Sequence, residues 1–130
     1  MNFAGSPRDG RQRVIMAWAC RAFTVKVARN TIERCLRFFE EAAELVHALG
    51  LTRAQCDAVL DRVFSRPKGK PEQEIGQAGM TLLALAECEG YSADECEAAE
   101  IKRVLALPDD HWRKRQNAKA EQGLGGKVPA

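Results

Sequence analysis

The chain has little of what extracellular and metal-scaffold proteins rely on. Its five cysteines, Cys20, Cys35, Cys56, Cys88 and Cys96, are odd in number and never spaced as C-x-x-C, and His47 and His111 lie far apart. That pattern argues against both a zinc site and a disulfide framework. Cys35, Cys56 and Cys88 read instead as small core residues. Aromatic residues make up only 6% of the chain, and they do not alternate with β-branched residues over a usable length, so no strand is expected. No apolar run approaches the roughly 20 residues of a membrane helix. A phosphate-binding G-x-x-x-x-G-K-[ST] loop is missing, which excludes a P-loop NTPase. The opening MNFAGSPRDGRQR is polar and basic where a signal peptide has an apolar stretch. These absences describe a soluble cytoplasmic protein with no membrane partner.

What is present is helix-forming sequence. With 130 residues, 45% hydrophobic and 29% charged, the chain is expected to fold as one domain over residues 1–122, with a flexible tail over 123–130. The formal net charge of +2 is too small to imply nucleic acid, and no recognition helix or aromatic-basic interleaving is evident. Punctuation residues divide the chain into five to six helices. The first covers Asp9 to Phe23, and after a break at VARN a long helix runs from Thr31 to Leu49, stopped by Gly50. Thr52 caps a third, TRAQCDAVLDRVF. The loop SRPKGKP leads to a fourth with Pro71 near its first position, closed by Gly90. From Ala78 to Ala86 this helix is apolar on nearly every side, so it is expected to be the central, buried one. Ser92 and Glu95 have capping-box spacing for a fifth helix that ends before Pro108. A basic helix follows from Asp109 to Ala120.

The second long helix holds the informative stretch, RFFEEAAELVHALG. At about 100° per residue, Ile32, Leu36, Phe39, Ala43 and Val46 form one stripe, and Glu40, Glu41 and Glu44 fall on the other side with Glu33 and Arg37. By itself this is the pattern of a solvated acidic face. Phe38, Leu45 and Leu49 form a second apolar strip beside Glu41 and Glu44, which suggests partial enclosure of the acids. Enclosed acids need a counter-charge. Carboxylates at i and i+3 repel unless a cation lies between them, and Mg²⁺ takes oxygen ligands from facing elements. A second acidic group stands in PEQEIGQ, where Glu74 is followed at i+3 by Gln77. Acids here also suit the first turn of a helix through its dipole.

EEAAEL followed by EIGQAGMTLLALAE resembles the two signature helices of the MazG-like, all-α nucleoside triphosphate pyrophosphatases. Their pattern is E-E-x-x-E and, after a spacer, E-x-x-D. The first motif is matched by Glu40, Glu41 and Glu44. The resemblance implies Mg²⁺ held by Glu41, Glu44, Glu74 and position 77, where this chain has Gln77 in place of the family's Asp. Asp61, in VLDRVF, is a possible source of the missing carboxylate, or an exposed residue paired with neighbours. The likeness is strong from Arg34 to Gly90, and the RPKGKP loop is similar to compact phage and prophage versions. RKRQNAKA resembles the family's basic helix that meets phosphates and sugar, which implies Arg113, Lys114, Asn117 and Lys119 as nucleotide-binding residues, with Arg34 and Arg37 as further phosphate contacts. The implied fold is a MazG-like helical bundle that assembles as a dimer or dimer of dimers. The implied activity is Mg²⁺-dependent hydrolysis of an NTP or dNTP to the monophosphate and pyrophosphate, with Glu40 or Glu41 handling the water. The alternative is a catalytically weakened nucleotide-binding or regulatory protein, for which Gln77 is the motivating feature. Trp18 and Trp112 are either base-stacking or packing residues, and His47 is at most a hydrogen-bonding neighbour of the acids.

Overall fold

The computed structural model describes residues 7–128, and these are all-helical, with no strand among them. Seven helices follow in order: α1 (Pro7–Phe23), α2 (Val25–Ala28), α3 (Thr31–Ala48), α4 (Arg53–Phe64), α5 (Pro71–Glu89), α6 (Ala93–Ala106) and α7 (Asp109–Glu121). The expected five to six become seven because the four-residue α2 occupies the region read as a break. Thr24 separates it from α1 with φ +81°. A β-branched residue in that region costs roughly 1–3 kcal/mol, and neighbouring bonds hold it. Its N–H donates to the Cys20 carbonyl at 3.1 Å, and its own carbonyl accepts from Ala28 at 2.9 Å.

Local chemistry explains the remaining boundaries. Asn30 starts α3 by accepting the Glu33 N–H at 3.0 Å. Thr52 and Gln55 make a complete capping box on α4, a device that contributes about 1 kcal/mol. Pro71 opens α5, where its missing N–H is no loss. Ser92 accepts the Glu95 N–H at 3.1 Å ahead of α6. Gly50 (φ +97°) and Gly90 (φ +77°) take the left-handed conformation that ends α3 and α5. In each case the following residue reaches back, Leu51 to the Val46 carbonyl and Tyr91 to the Ala86 carbonyl, both at 2.9 Å.

The chain divides into two compact units, with the division falling inside α3 and inside α6. The first runs to Ala43 and resumes at Ile101. Its core is Ala19, Ala22, Phe23, Ala28 and Val128, with Trp18 and Trp112 packed against it. Small residues on α1 let α2 and α7 approach it closely. The two indoles meet edge to face at 5.7 Å, and Trp18 meets Phe23 in the same way at 5.3 Å. Both tryptophans are therefore packing residues. Residues 124–128, read from sequence as part of a loose tail, fold back onto this unit, and Val128 is 1% exposed.

The second unit, Glu44–Glu100, contains α4, α5 and the adjoining parts of α3 and α6. Here the sequence expectation needs correcting. The apolar α5 has no buried residue, and Phe64, Ile75 and Met80 are 84%, 74% and 66% exposed. Within one chain this helix lacks neighbours on most sides, so its apolar composition goes uncovered. Cys35 and Cys88 are exposed for the same reason, and Cys56 is only half-buried. An apolar pocket of about 230 Å³ opens between Leu45, Leu49, Leu82, Leu85, Tyr91 and Cys96.

Candidate metal and anion site

On α3, Glu40, Glu41 and Glu44 bring carboxylate oxygens within 4.8 Å of one another. Helical spacing produces this, since i and i+4 residues share a face and Glu41 stands one residue aside. Glu41 and Glu44 are exposed, so the enclosure expected from the second apolar strip is not found. Phe38, in that strip, is itself largely exposed. The reason matches that for α5: the strip has no cover within the chain.

Glu40 differs from its neighbours. Lys119 on α7 donates to it at 2.6 Å, and Arg37 stands 3.8 Å away. The hydrogen bond from Lys119 holds the Glu40 carboxyl below the usual carboxylate range; partial burial opposes the shift, and the Arg37 and Arg115 charges add to it. A depressed folded-state pKa means that the pair stabilises the fold above the unfolded value and loses this contribution as pH falls through the folded value. For a partly exposed pair the contribution is about 0.2–1 kcal/mol. We therefore expect Lys119→Met to lower stability modestly near neutral pH, and the difference from the parent to shrink as pH falls below the ordinary Glu carboxyl range and on through the lower folded value of Glu40. Thermal melts of both proteins across that range check this.

The other residues read as nucleotide contacts serve several structural bonds. Arg113 donates to the carbonyls of Ala22 at 3.1 Å and Arg21 at 3.4 Å, closing the C-terminal end of α1, and pairs with Asp110. Asn117 grips Val128 from both sides of its peptide, accepting its N–H at 2.7 Å and donating to its carbonyl at 3.3 Å. Arg37 donates to the Leu124 carbonyl. Lys114 is exposed. Arg34 is half-buried, and burial lowers its pKa from the usual arginine value, with the nearby Glu33 charge opposing. Four guanidinium nitrogens, Nε and Nη2 of Arg34 and Nε and Nη1 of Arg37, are buried with no hydrogen-bond partner.

Asp61, Glu74 and Gln77 are exposed on α4 and α5. Among the described residues the group of three or more acids close enough to share an ion is the one on α3. The Glu74 carboxylate lies against the backbone of Gly69, where any Cβ would overlap it. His47 is exposed.

Two residues that sequence reasoning passed over organise this region. Glu33 and Gln116 are 6% and 3% exposed. Gln116 donates to Glu33 at 3.0 Å and to the Gly126 carbonyl at 2.9 Å, while Glu33 accepts the Gly126 N–H. An acid in a first helical turn and a glutamine inside a basic helix carry no distinguishing signal in sequence.

No family model, curated protein or solved structure matches this chain.

Proposed function

We propose that the protein is a Mg²⁺-dependent nucleoside triphosphate pyrophosphohydrolase that cleaves an NTP or dNTP to the monophosphate and pyrophosphate. The observation that supports this most is the convergence of the Glu40, Glu41 and Glu44 oxygens within 4.8 Å. Ligands on one Mg²⁺ stand at most about 4.2 Å apart, twice the metal–oxygen distance. Exposed glutamates reach that spacing by small side-chain rotations, so Glu41 and Glu44 fit the ion. The family resemblance adds Glu74 and Gln77 from α5 as ligands, with Asp61 as a possible addition; neither Glu74 nor Asp61 belongs to the acidic group on α3. When bound, the ion polarises phosphate oxygens and acidifies a coordinated water.

The chain's own groups supply the rest. Glu41 and Glu44 would hold the ion, which would supply positive charge for the phosphate oxygens. Glu40, kept ionised by Lys119, orients a water and accepts its proton. Arg34 and Arg37 offer donors to the phosphate oxygens that carry charge as pyrophosphate leaves. Lys114, with Arg113, Asn117 and Lys119 of the same helix, lines the nucleotide's path. A nucleotide-binding protein with little or no hydrolysis is the second reading, favoured by Gln77, whose amide supplies a ligand oxygen without charge. The two separate on Gln77→Asp. We expect this change to tighten Mg²⁺ binding and to raise pyrophosphate release on the order of tenfold or more, as added ligand charge strengthens a hard-cation site. No gain in either quantity would remove Gln77 from the site.

Exposed apolar side chains on α3, α4 and α5, Phe38, Phe39, Phe64, Ile75, Met80 and Leu83 among them, exceed what a monomer ordinarily presents and support a homodimer or dimer of dimers. Light scattering is expected to give twice or four times the 14.4 kDa chain mass. The five free thiols fit a cytoplasmic setting. Among the described residues no helix is long and apolar enough to cross a membrane.

A further inference from the structure

Residues 124–128 are held through their backbone at every second residue. The Leu124 carbonyl accepts from Arg37. Gly126 donates to Glu33 and accepts from Gln116 at 2.9 Å. Val128 donates to and accepts from Asn117. The chain bends at Leu124 and Gly125, and from there to Val128 its main chain is read by side chains of α3 and α7. The groove is also selective. A Cβ at Gly125 would stand 2.9 Å from Gln116 Nε2, and one at Gly126 3.0 Å from Glu33 Oε1, while Val128 completes the apolar cluster of Ala19, Ala22, Phe23 and Ala28.

Arg37, which holds Leu124, lies at the α3 end of this groove, and both it and Arg34 have unmet donors. Arg34 and Arg37 are one turn apart on the same helix, and four of their nitrogens are buried without partners. Arg37 Nη1 is 3.8 Å from Glu40, too far for a hydrogen bond. Like charges with unused donors form an arrangement that a multiply charged oxyanion satisfies, because guanidinium donors match phosphate oxygens in pairs. The carbonyl of Leu124 occupies another donor of Arg37.

We propose that residues 124–128 form a strap that competes with a phosphate-bearing ligand for the Arg34–Arg37 pair, so that the ligand releases the strap and the strap limits the ligand. This rests on the nucleotide-binding part of the function proposed above and is independent of hydrolysis. Coupling of this kind is reciprocal: the ligand weakens the strap by the same factor as the strap weakens the ligand.

The test uses the full chain and inorganic pyrophosphate. Hydrogen exchange at the Gly126 and Val128 amides is expected to accelerate on adding pyrophosphate, while the α1 amides keep their protection. Gly126→Ala, which crowds Glu33, is expected to bind pyrophosphate about tenfold more tightly by calorimetry. With a chelator present, Glu44→Gln is expected to retain both effects, and with Mg²⁺ to lose hydrolysis, which separates failure of the strap from failure of the catalytic reading. Pyrophosphate that binds without changing exchange at residues 126 and 128 would overturn the proposal. So would absence of binding in both the parent and Gly126→Ala. If Gly126→Ala does not fold, the exchange measurement on the parent decides alone.

Discussion

Glu44→Gln is expected to abolish Mg²⁺-dependent hydrolysis, with a loss on the order of 10²–10³-fold or more, comparable to removing a directly acting electrostatic group from an active site. Glutamine keeps the size and one ligand oxygen but removes the charge. Glu44 is exposed on α3, so the helical circular dichroism should be unchanged and the stability should stay within about 0.5 kcal/mol of the parent. Isothermal titration with Mg²⁺ and a pyrophosphate-release assay measure the first effect, and thermal melts the second. Loss of the fold along with activity would instead make Glu44 a structural residue. Glu41→Gln is expected to behave the same way. Glu40→Gln should act differently, costing activity and also the Lys119 contact.

The second large effect concerns stability. Glu33→Ala removes the acceptor for the Gly126 N–H and for Gln116 Nε2 in a buried setting. Hydrogen bonds to charged acceptors contribute about 1.5–3 kcal/mol each, and buried donors left unpaired add to the cost. We expect a loss of about 3 kcal/mol and a fall in melting temperature on the order of 10 °C. Glu33→Gln, which keeps an acceptor oxygen, should cost less than half as much. Equal effects of the two changes would show that charge, not hydrogen bonding, is what the position provides.

The helices were legible in the sequence because their ends are chemical. Thr52, Ser92, Pro71, Gly50 and Gly90 each act within about one helical turn, and such signals survive without knowledge of the rest of the fold. Burial was less legible. The stripe on α3 and the apolar length of α5 show that these faces avoid water, but they do not name the surface that covers them. In the single chain Ile32, Phe39 and Met80 remain exposed. The actual core is Phe23 and Val128 with the alanines Ala19, Ala22 and Ala28, and alanines leave no periodic mark strong enough to single out. The acidic triad was visible because helical spacing alone brings its members together. The docking of residues 124–128 depends on pairings such as Glu33 with Gly126, 93 positions apart, which no local pattern encodes. The same holds for Lys119 and Glu40, 79 apart.

The measurement that bears most directly on the proposed activity is product analysis after incubation with a panel of NTPs and dNTPs, with Mg²⁺ and then with a chelator. The account predicts nucleoside monophosphate and pyrophosphate in equal amounts from at least one nucleotide, only with Mg²⁺, and none from Glu44→Gln. Nucleoside diphosphate and phosphate as products would contradict it, as would no turnover of any nucleotide together with no Mg²⁺-dependent nucleotide binding.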